Sequence, residues 1–335
     1  MPAETAAHDC TWMAWPSSGY TLGGTAADAE EARATWAAVA HAVAQFEPVR
    51  MVVDPSATAV ARDHLGSDVE LLEAPLDDAW MRDIGPTFVL STDPDPATGT
   101  RLGAVDWVFN GWGAQGWATW EKDARIARTI AEWSGAELIS SPMVNEGGAI
   151  HVDGAGTVLA TRTVQLDPGR NPEWTEERVE AELRRTLGVE RVVWLERGLT
   201  RDYDEFGTRG HVDIVAVMPE PGVVLLHEQT DPAHPDHALR EELRAAVPRP
   251  WRVVPVPAPR QLEDEHGPVD LSYINHYACN GGVVACGFDD PNDAPALDLL
   301  AAAYPGRRVV AVDARPLFAR GGGIHCITQQ QPALS

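Results

Sequence analysis

The same short unit is spelled five times along this chain, and that recurrence narrows the possible folds more than any other feature. Amphipathic helical patterns cover about residues 26–45, 121–133, 172–187, 236–247 and 293–303. The third has readable ends: Asn171 as a cap, Pro172 in the first turn and Gly188 as a terminator. After each helix comes a β-branched run: Val49–Val53, Ala136–Ile139, Arg191–Leu195, Trp251–Val256 and Arg307–Val312. A loop and a second apolar strand follow, led in by polar or glycine residues at Met81–Pro86, Glu146–Gly148, Gly210–Asp213, Asn280–Gly282 and Gly321–Cys326. Repetition of one supersecondary unit implies a ring or a solenoid, with an ordinary open α/β sheet as the alternative. A ring would bring the five lead-in segments around one axis, in a single α/β domain spanning residues 1–335.

Those segments are where the chemistry sits. They carry Asp83, Glu146, His211 with Asp213, and Cys326, residues far apart in sequence but at matching positions of the repeat. Cys326 follows a triple glycine, Gly321–Gly323, which lets backbone and substrate approach the sulfur closely. A thiolate is a strong nucleophile when its pKa is depressed, and His211 can serve beside it as general acid and base. Buried carboxylates are costly unless a cation offsets them, and a guanidinium presents paired N–H donors that suit two carboxylates. Asp83 and Asp213 can clamp such a group, sulfur attack on its central carbon would expel ammonia, and water would then hydrolyse the thiouronium. No metal or organic cofactor is called for.

Duller readings exist for each part. Cys326 fits a packed strand cysteine, Glu146-Gly-Gly148 a turn, and His211-Val-Asp213, with both side chains on one face of a strand, a metal site. Trp80 and Trp112 fit either the core or an apolar wall against an alkyl chain. The second His-Val-Asp, at His151–Asp153, is followed by Gly-Ala-Gly and reads as a strand end plus hairpin. Arg82 reads as a charge partner of nearby carboxylates, and Gln329–Gln331 as satisfying backbone groups.

Composition excludes several function classes. A formal charge of −24 makes nucleic acid an unsuitable partner and would draw in a cation, although an acidic surface alone would look the same. The apolar runs fall short of the roughly 20 residues that span a membrane. The opening Met1-Pro-Ala-Glu-Thr5 has neither a basic region nor an apolar core, so no signal peptide is expected and the cytoplasm is the default. The cysteines Cys10, Cys279, Cys286 and Cys326 are too sparse for a disulfide scaffold and form no zinc-type pair, and Cys279 and Cys286 read as small core residues.

Several longer motifs carry a resemblance. They are Asp77–Val89 with its Trp-Met-Arg-Asp-Ile-Gly-Pro stretch, Phe109–Gly113, Glu146–Gly154, Gly210–Asp213, Ser272–His276, Asn280–Gly282, Asp290–Asp293 and Gly321–Pro332. In this order the chain resembles the agmatine deiminases of the guanidine-modifying pentein superfamily. The resemblance implies a five-bladed α/β propeller. It also implies Cys326 as nucleophile, His211 as acid/base, Asp83 and Asp213 as guanidinium ligands, and Glu146 as a supporting carboxylate near His211. The implied reaction is hydrolysis of agmatine to N-carbamoylputrescine and ammonia in polyamine metabolism, by a homodimer or larger homo-oligomer. Asp78, Trp80, Trp112, Arg209 and Gly323 are the candidate substrate-binding residues. The segment Ala114–Lys122 departs from the usual family pattern and is placed to shape the pocket around the substrate's far end. Another guanidine as substrate, amidino transfer, or guanidine binding without catalysis are the competing readings. An arginine-type substrate would need an arginine for its carboxylate, with Arg162, Arg201, Arg209 and Arg320 the residues near the motif loops.

Overall fold

A computed structural model describes residues 1–93, 99, 101–264 and 266–334. The strands are β1 (His8–Ala14), β2 (Val49–Val53), β3 (Glu70–Glu73), β4 (Thr87–Leu90), β5 (Leu102–Val108), β6 (Glu137–Val144), β7 (Ile150–Val152), β8 (Thr157–Thr161) and β9 (Arg191–Leu195). They continue with β10 (Ala216–Glu220), β11 (Val223–Glu228), β12 (Arg252–Pro257), a small hairpin β13 (Glu263–Asp264) and β14 (Gly267–Pro268), β15 (Tyr277–Cys279), β16 (Gly282–Gly287), β17 (Arg308–Asp313) and β18 (Gln329–Pro332).

Apart from the small hairpin, these strands form five mixed sheets with one recurring topology. In four of them a first strand pairs antiparallel with a second, and the second pairs parallel with a third: β4-β5-β6, β7-β8-β9, β10-β11-β12 and β15-β16-β17. The fifth is closed by the two ends of the chain: β18 pairs antiparallel with β1, which pairs parallel with β2, and β3 adds outside. An antiparallel pair needs only a tight turn, whereas a parallel pair needs a crossover. Helices Ala26–Ala44, Ile126–Ser134, Glu176–Leu187, Leu239–Ala246 and Asp293–Ala303 therefore lie between the second and third strand of each sheet.

The five expected helices and five β-branched strands are all present. Three local readings change. The third helix begins at Glu176 under a Thr175 cap, not at Asn171. Asn171 instead turns its amide back to the carbonyls of Val144 and Gln165, which a residue at a free helix end could not reach. Gly188 does end that helix, in the left-handed conformation. The second change concerns Asn280-Gly281, which forms the hairpin turn between β15 and β16 and not a lead-in segment. The lead-in of that sheet is Ser272–His276. Finally, His211-Val-Asp213 is no strand: Val212–Ile214 is a single 3-10 turn before β10.

The core is built from large side chains without exposure, among them Trp12, Trp15, Trp36, Met13, Met51, Tyr273 and Tyr277. Cys10, Cys279 and Cys286 are packed in it as small apolar groups, and burial pushes each thiol up to about 12. His151–Asp153 behaves as the sequence indicates. Asp153 Oδ1 accepts from the amides of Ala155 and Thr157 and ties the β7–β8 hairpin. Among the described residues no helix is long and apolar enough to cross a membrane.

Candidate active site

Each first strand is preceded by a lead-in turn, and these turns pack on one another. The turn Met81–Ile84 contacts both 147–149 and 325–327, and 147–149 contacts 212–214. Their convergence is read most directly at Gly148. A methyl group there would stand 2.5 Å from His211 Nδ1, 2.9 Å from Asp213 Oδ2 and 3.0 Å from Asp83 Oδ1. Three groups that the sequence singles out thus meet around one missing side chain. Gly148→Ala is expected to cut kcat/KM by about 100-fold, because displacing a reacting group by an ångström costs that order. A loss under threefold in a folded protein would show that this packing does not set the site.

Asp83 is held by two donors from different sheets: Trp112 Nε1 to Oδ2 at 2.8 Å and the Gly148 amide to Oδ1 at 3.0 Å. Trp112 reaches it through an unusual backbone. Its φ is +55° and ψ +44°, between Gly111 and Gly113 at φ +69° and +93°. Left-handed tryptophan is strained and persists only when its surroundings over-determine it. Here the Asn110 side chain accepts from the Gly113 amide, and the indole is stacked on Trp117. Burial, opposed by His211 and reinforced by Glu146 and Asp213, pushes Asp83 up to about 6.

His211 is set by Asp202, whose carboxylate collects the amides of Thr208, Gly210 and His211. Its Nε2 lies 3.2 Å from Glu146 Oε2, and Nδ1 is buried with no hydrogen-bond partner among the described residues, 3.9 Å from Asp83 Oδ1. Burial alone would lower the imidazole, but Asp83, the Glu146 bond and Asp213 raise it to about 9. Glu146 in turn is bound by Arg170 Nε at 3.0 and 3.1 Å, both side chains having no exposure. Burial pushes Glu146 up, but Arg170 and His211 outweigh it and hold the carboxylate below its ordinary value.

Cys326 is 3% exposed. Asn275 faces its sulfur with Nδ2 at 3.3 Å and Oδ1 at 3.5 Å, and Asp213 Oδ2 is 3.8 Å away. Gly323 makes room for that amide, since a methyl group there would lie 2.5 Å from Asn275 Oδ1. Gly322 does the same for Trp80 and the sulfur, at 2.6 Å and 3.1 Å. Burial, Asp213 and Asp83 hold the thiol well above its ordinary value. Asp213 accepts from His325 Nδ1 through Oδ2 at 2.7 Å, while Oδ1 is buried and has no hydrogen-bond partner among the described residues.

The remaining expected residues are placed as follows. Trp80 is buried edge-on against Trp36. Asp78 is buried and accepts at Oδ1 from Thr21 Oγ1 at 2.5 Å and the Ala79 amide at 2.8 Å, and burial pushes it up to about 7. Arg209 binds Asp167 at 3.1 and 3.2 Å. Arg162 pairs with Glu176 and Glu196, Arg201 with Asp264, and Arg320 with Glu31. Arg82 is a charge partner, as read, of Glu4. The glutamine run does more than satisfy backbone: Gln330 accepts from Arg82, and Gln331 accepts from Trp12 and donates to Asp9. Beside the glycine run lies a cavity of about 250 Å³, bordered by Asp204, Glu205, Phe206, Asp270 and Gly321.

Sequence reasoning missed Asn275, His325, Arg170, Asp202 and Glu4. Asn275 carried a signal, since it lies in Ser272–His276, but the Asn-Gly-Gly turn five residues later drew the assignment away. Glu4 had none, because nothing local links it to the other end of the chain.

Known proteins resemble this chain along its whole length. The model of the Porphyromonas-type peptidyl-arginine deiminase family matches residues 1–332. A Streptomyces coelicolor relative is 58% identical over 343 residues, covering 99% of this chain and 98% of its own. The agmatine deiminase of Ectopseudomonas mendocina is 40% identical over 365 residues, covering 99% and 95%. The solved agmatine deiminase of Enterococcus faecalis superposes with a TM-score of 0.90 at 30% identity, covering 99% of this chain and 95% of that one.

Proposed function

Since the chain belongs to the Porphyromonas-type peptidyl-arginine deiminase family, we propose that it hydrolyses agmatine to N-carbamoylputrescine and ammonia. The observation that carries the reading is the meeting of His211, Asp83 and Asp213 around Gly148, with Cys326 beside Asp213 and Glu146 beside His211. Buried carboxylates without a cation between them are costly, and Asp213 Oδ1 and His211 Nδ1 have no hydrogen-bond partner among the described residues.

In this reading a guanidinium lies between Asp83 and Asp213, with its central carbon facing Cys326. The free thiol is neutral because burial and both aspartates oppose the thiolate. An arriving cation reverses that balance, so substrate binding and loss of the thiol proton are linked. The thiol proton passes to solvent as the cation binds, and the thiolate adds to the central carbon. His211, charged at neutral pH, gives its proton to the departing nitrogen, and the carbon–nitrogen bond breaks as ammonia leaves. The now neutral His211 takes a proton from water, which attacks the thiouronium. Collapse breaks the carbon–sulfur bond, releasing the carbamoyl product and the thiol. Glu146, fixed by Arg170, keeps His211 oriented throughout.

Agmatine is favoured over arginine by the partners of the nearby arginines. Arg162, Arg201, Arg209 and Arg320 each pair with an acidic side chain, whereas a substrate carboxylate needs an arginine fork aimed at it. The cavity, where Asp204, Glu205 and Asp270 outnumber Arg201 and Arg201 is paired with Asp264, suits an amine, and Trp80 and Trp112 are the apolar wall for the alkyl chain. The five recurrent sheets support a five-bladed propeller closed around this site, helped by contacts of β18 with β4 and of β7 with β10. We read residues 1–335 as one catalytic domain, working in the cytoplasm.

Ammonia release at neutral pH is the test, from agmatine, arginine, guanidinobutyrate, a blocked arginine peptide and guanidine. Turnover is expected with agmatine and at least about 100-fold lower kcat/KM with arginine, given what an unmatched charge costs. Inert agmatine beside an active member of the panel would overturn the substrate assignment.

A further inference from the structure

Behind Asp213 runs a line of buried charge that the mechanism above does not use. His325 Nδ1 lies 2.7 Å from Asp213 Oδ2, and its Nε2 lies 2.8 Å from Glu4 Oε2. Glu4 comes from the opening segment, 321 residues away in sequence. The same Glu4 oxygen meets Arg82 Nη2 at 3.4 Å, and Glu4 Oε1 accepts from the Ala278 amide at 2.8 Å. Arg82 is anchored in turn by Gln330 Oε1 at 2.8 Å and by the His325 carbonyl at 3.3 Å.

Ionised carboxylates only accept hydrogen bonds, so an imidazole between two of them carries both protons. The line then alternates in sign: Asp213 negative, His325 positive, Glu4 negative, Arg82 positive. Burial and Arg82 work against the imidazolium, but Glu4 and the Asp213 bond outweigh them and His325 is raised above its ordinary value. The consequence at Asp213 is geometric. One oxygen is fixed by His325, and the other, Oδ1, is left buried, with no hydrogen-bond partner among the described residues and so available to a ligand.

We propose that Glu4 is a positioning residue for the deimination. Acting through His325, it keeps Asp213 ionised and turned so that Oδ1 meets the guanidinium. The inference rests on the site reading given above. It makes the opening segment part of the active site, although no atom of it is assigned a contact with substrate.

The test uses the full-length Glu4→Gln variant, which keeps the side chain's size, and two reagents for Cys326. Chloroacetamidine is a cation that needs the carboxylate clamp; iodoacetamide is neutral and does not. In the variant, kcat/KM for agmatine is expected to fall about 10- to 100-fold, mainly through KM, as is usual when the support of a binding group is removed. Chloroacetamidine inactivation should slow by a similar factor while iodoacetamide labelling stays within about twofold. A purely structural Glu4 would slow both reagents together, and an idle one would slow neither; either result overturns the proposal. His325→Asn gives a second arm, because its amide can still donate to Asp213 but neither carries charge nor reaches Glu4. The same selective loss is expected, and the double variant should lose no more than the worse single one, since both cut one line. Additive losses would overturn the relay. If the wild type neither turns over agmatine nor reacts with chloroacetamidine, the site reading itself falls; if the wild type does both and the variants match it, only the role of Glu4 falls.

Discussion

Replacing Cys326 by alanine is expected to abolish agmatine turnover, by about 10⁵- to 10⁶-fold in kcat, the scale seen when a nucleophile that works as part of a unit is removed. No other thiol can substitute: Cys10, Cys279 and Cys286 are packed in the core, each pushed up to about 12 by burial. Binding should survive. Without substrate the thiol is neutral, because burial and the aspartates hold it protonated, so its loss removes no carboxylate from the clamp. Asp83 and Asp213 keep their own supports, Trp112 with Gly148 and His325 respectively. Calorimetry should therefore still detect agmatine binding, with Kd weakened by no more than about tenfold, since the carboxylate clamp remains and only the sulfur that ionises on binding is lost. Residual turnover within tenfold of wild type would remove Cys326 from its role. Loss of binding together with turnover would mean that the alanine disturbs the clamp, and the division between nucleophile and ligands would be wrong.

The repeat was legible because each unit follows the same physical rule. A parallel strand pair needs a crossover helix, so helix and β-branched strand come as a visible couple, and Val49–Val53 and Arg191–Leu195 fall on observed strands to the residue. Cys326, His211, Asp83, Asp213 and Glu146 were legible for a related reason: they occupy the same place in successive units, and polar residues leading into apolar strands are conspicuous. What could not be read was anything held by distant partners. Asn171 looks like a helix cap until the carbonyls of Val144 and Gln165 are placed beside it. His211-Val-Asp213 alternates like a strand, but Asp202 gathers the amides before it and forces a turn. The state of the Cys326 thiol was not legible, because glycines signal access while the sign of the field comes from aspartates brought in by other units. The pairing of β18 with β1, which brings Glu4 near His325, joins the two ends of the chain and leaves no local trace.

Asp213→Asn separates the clamp from the nucleophile more sharply than any other single change. The asparagine oxygen can keep the bond from His325 Nδ1, which fixes the amide and points its NH₂ where Oδ1 stood. Two sets of donors, the amide and the guanidinium, then face each other, and the buried charge that paired the cation is gone. Losing one member of such a pair costs about 3–5 kcal/mol, so kcat/KM for agmatine should fall by about 10²- to 10⁴-fold. Reactivity toward a neutral reagent should move the other way. Asp213 is, after burial, the foremost cause holding the Cys326 thiol above its ordinary value, so its removal brings the thiol down and iodoacetamide labelling at neutral pH should quicken. Stability supplies a third direction. Burial raises Asp213, but the His325 bond and charge outweigh it and hold the carboxylate below its ordinary value. A depressed folded pKa contributes stability above the unfolded value of about 3.9, and that contribution is lost as pH falls through the folded value. The variant should therefore melt below wild type at neutral pH, with the gap narrowing only below about pH 4. A fall in kcat/KM of less than tenfold would break the clamp assignment. A parallel fall in iodoacetamide labelling would show that Asp213 activates the sulfur, contrary to the charge arrangement around it.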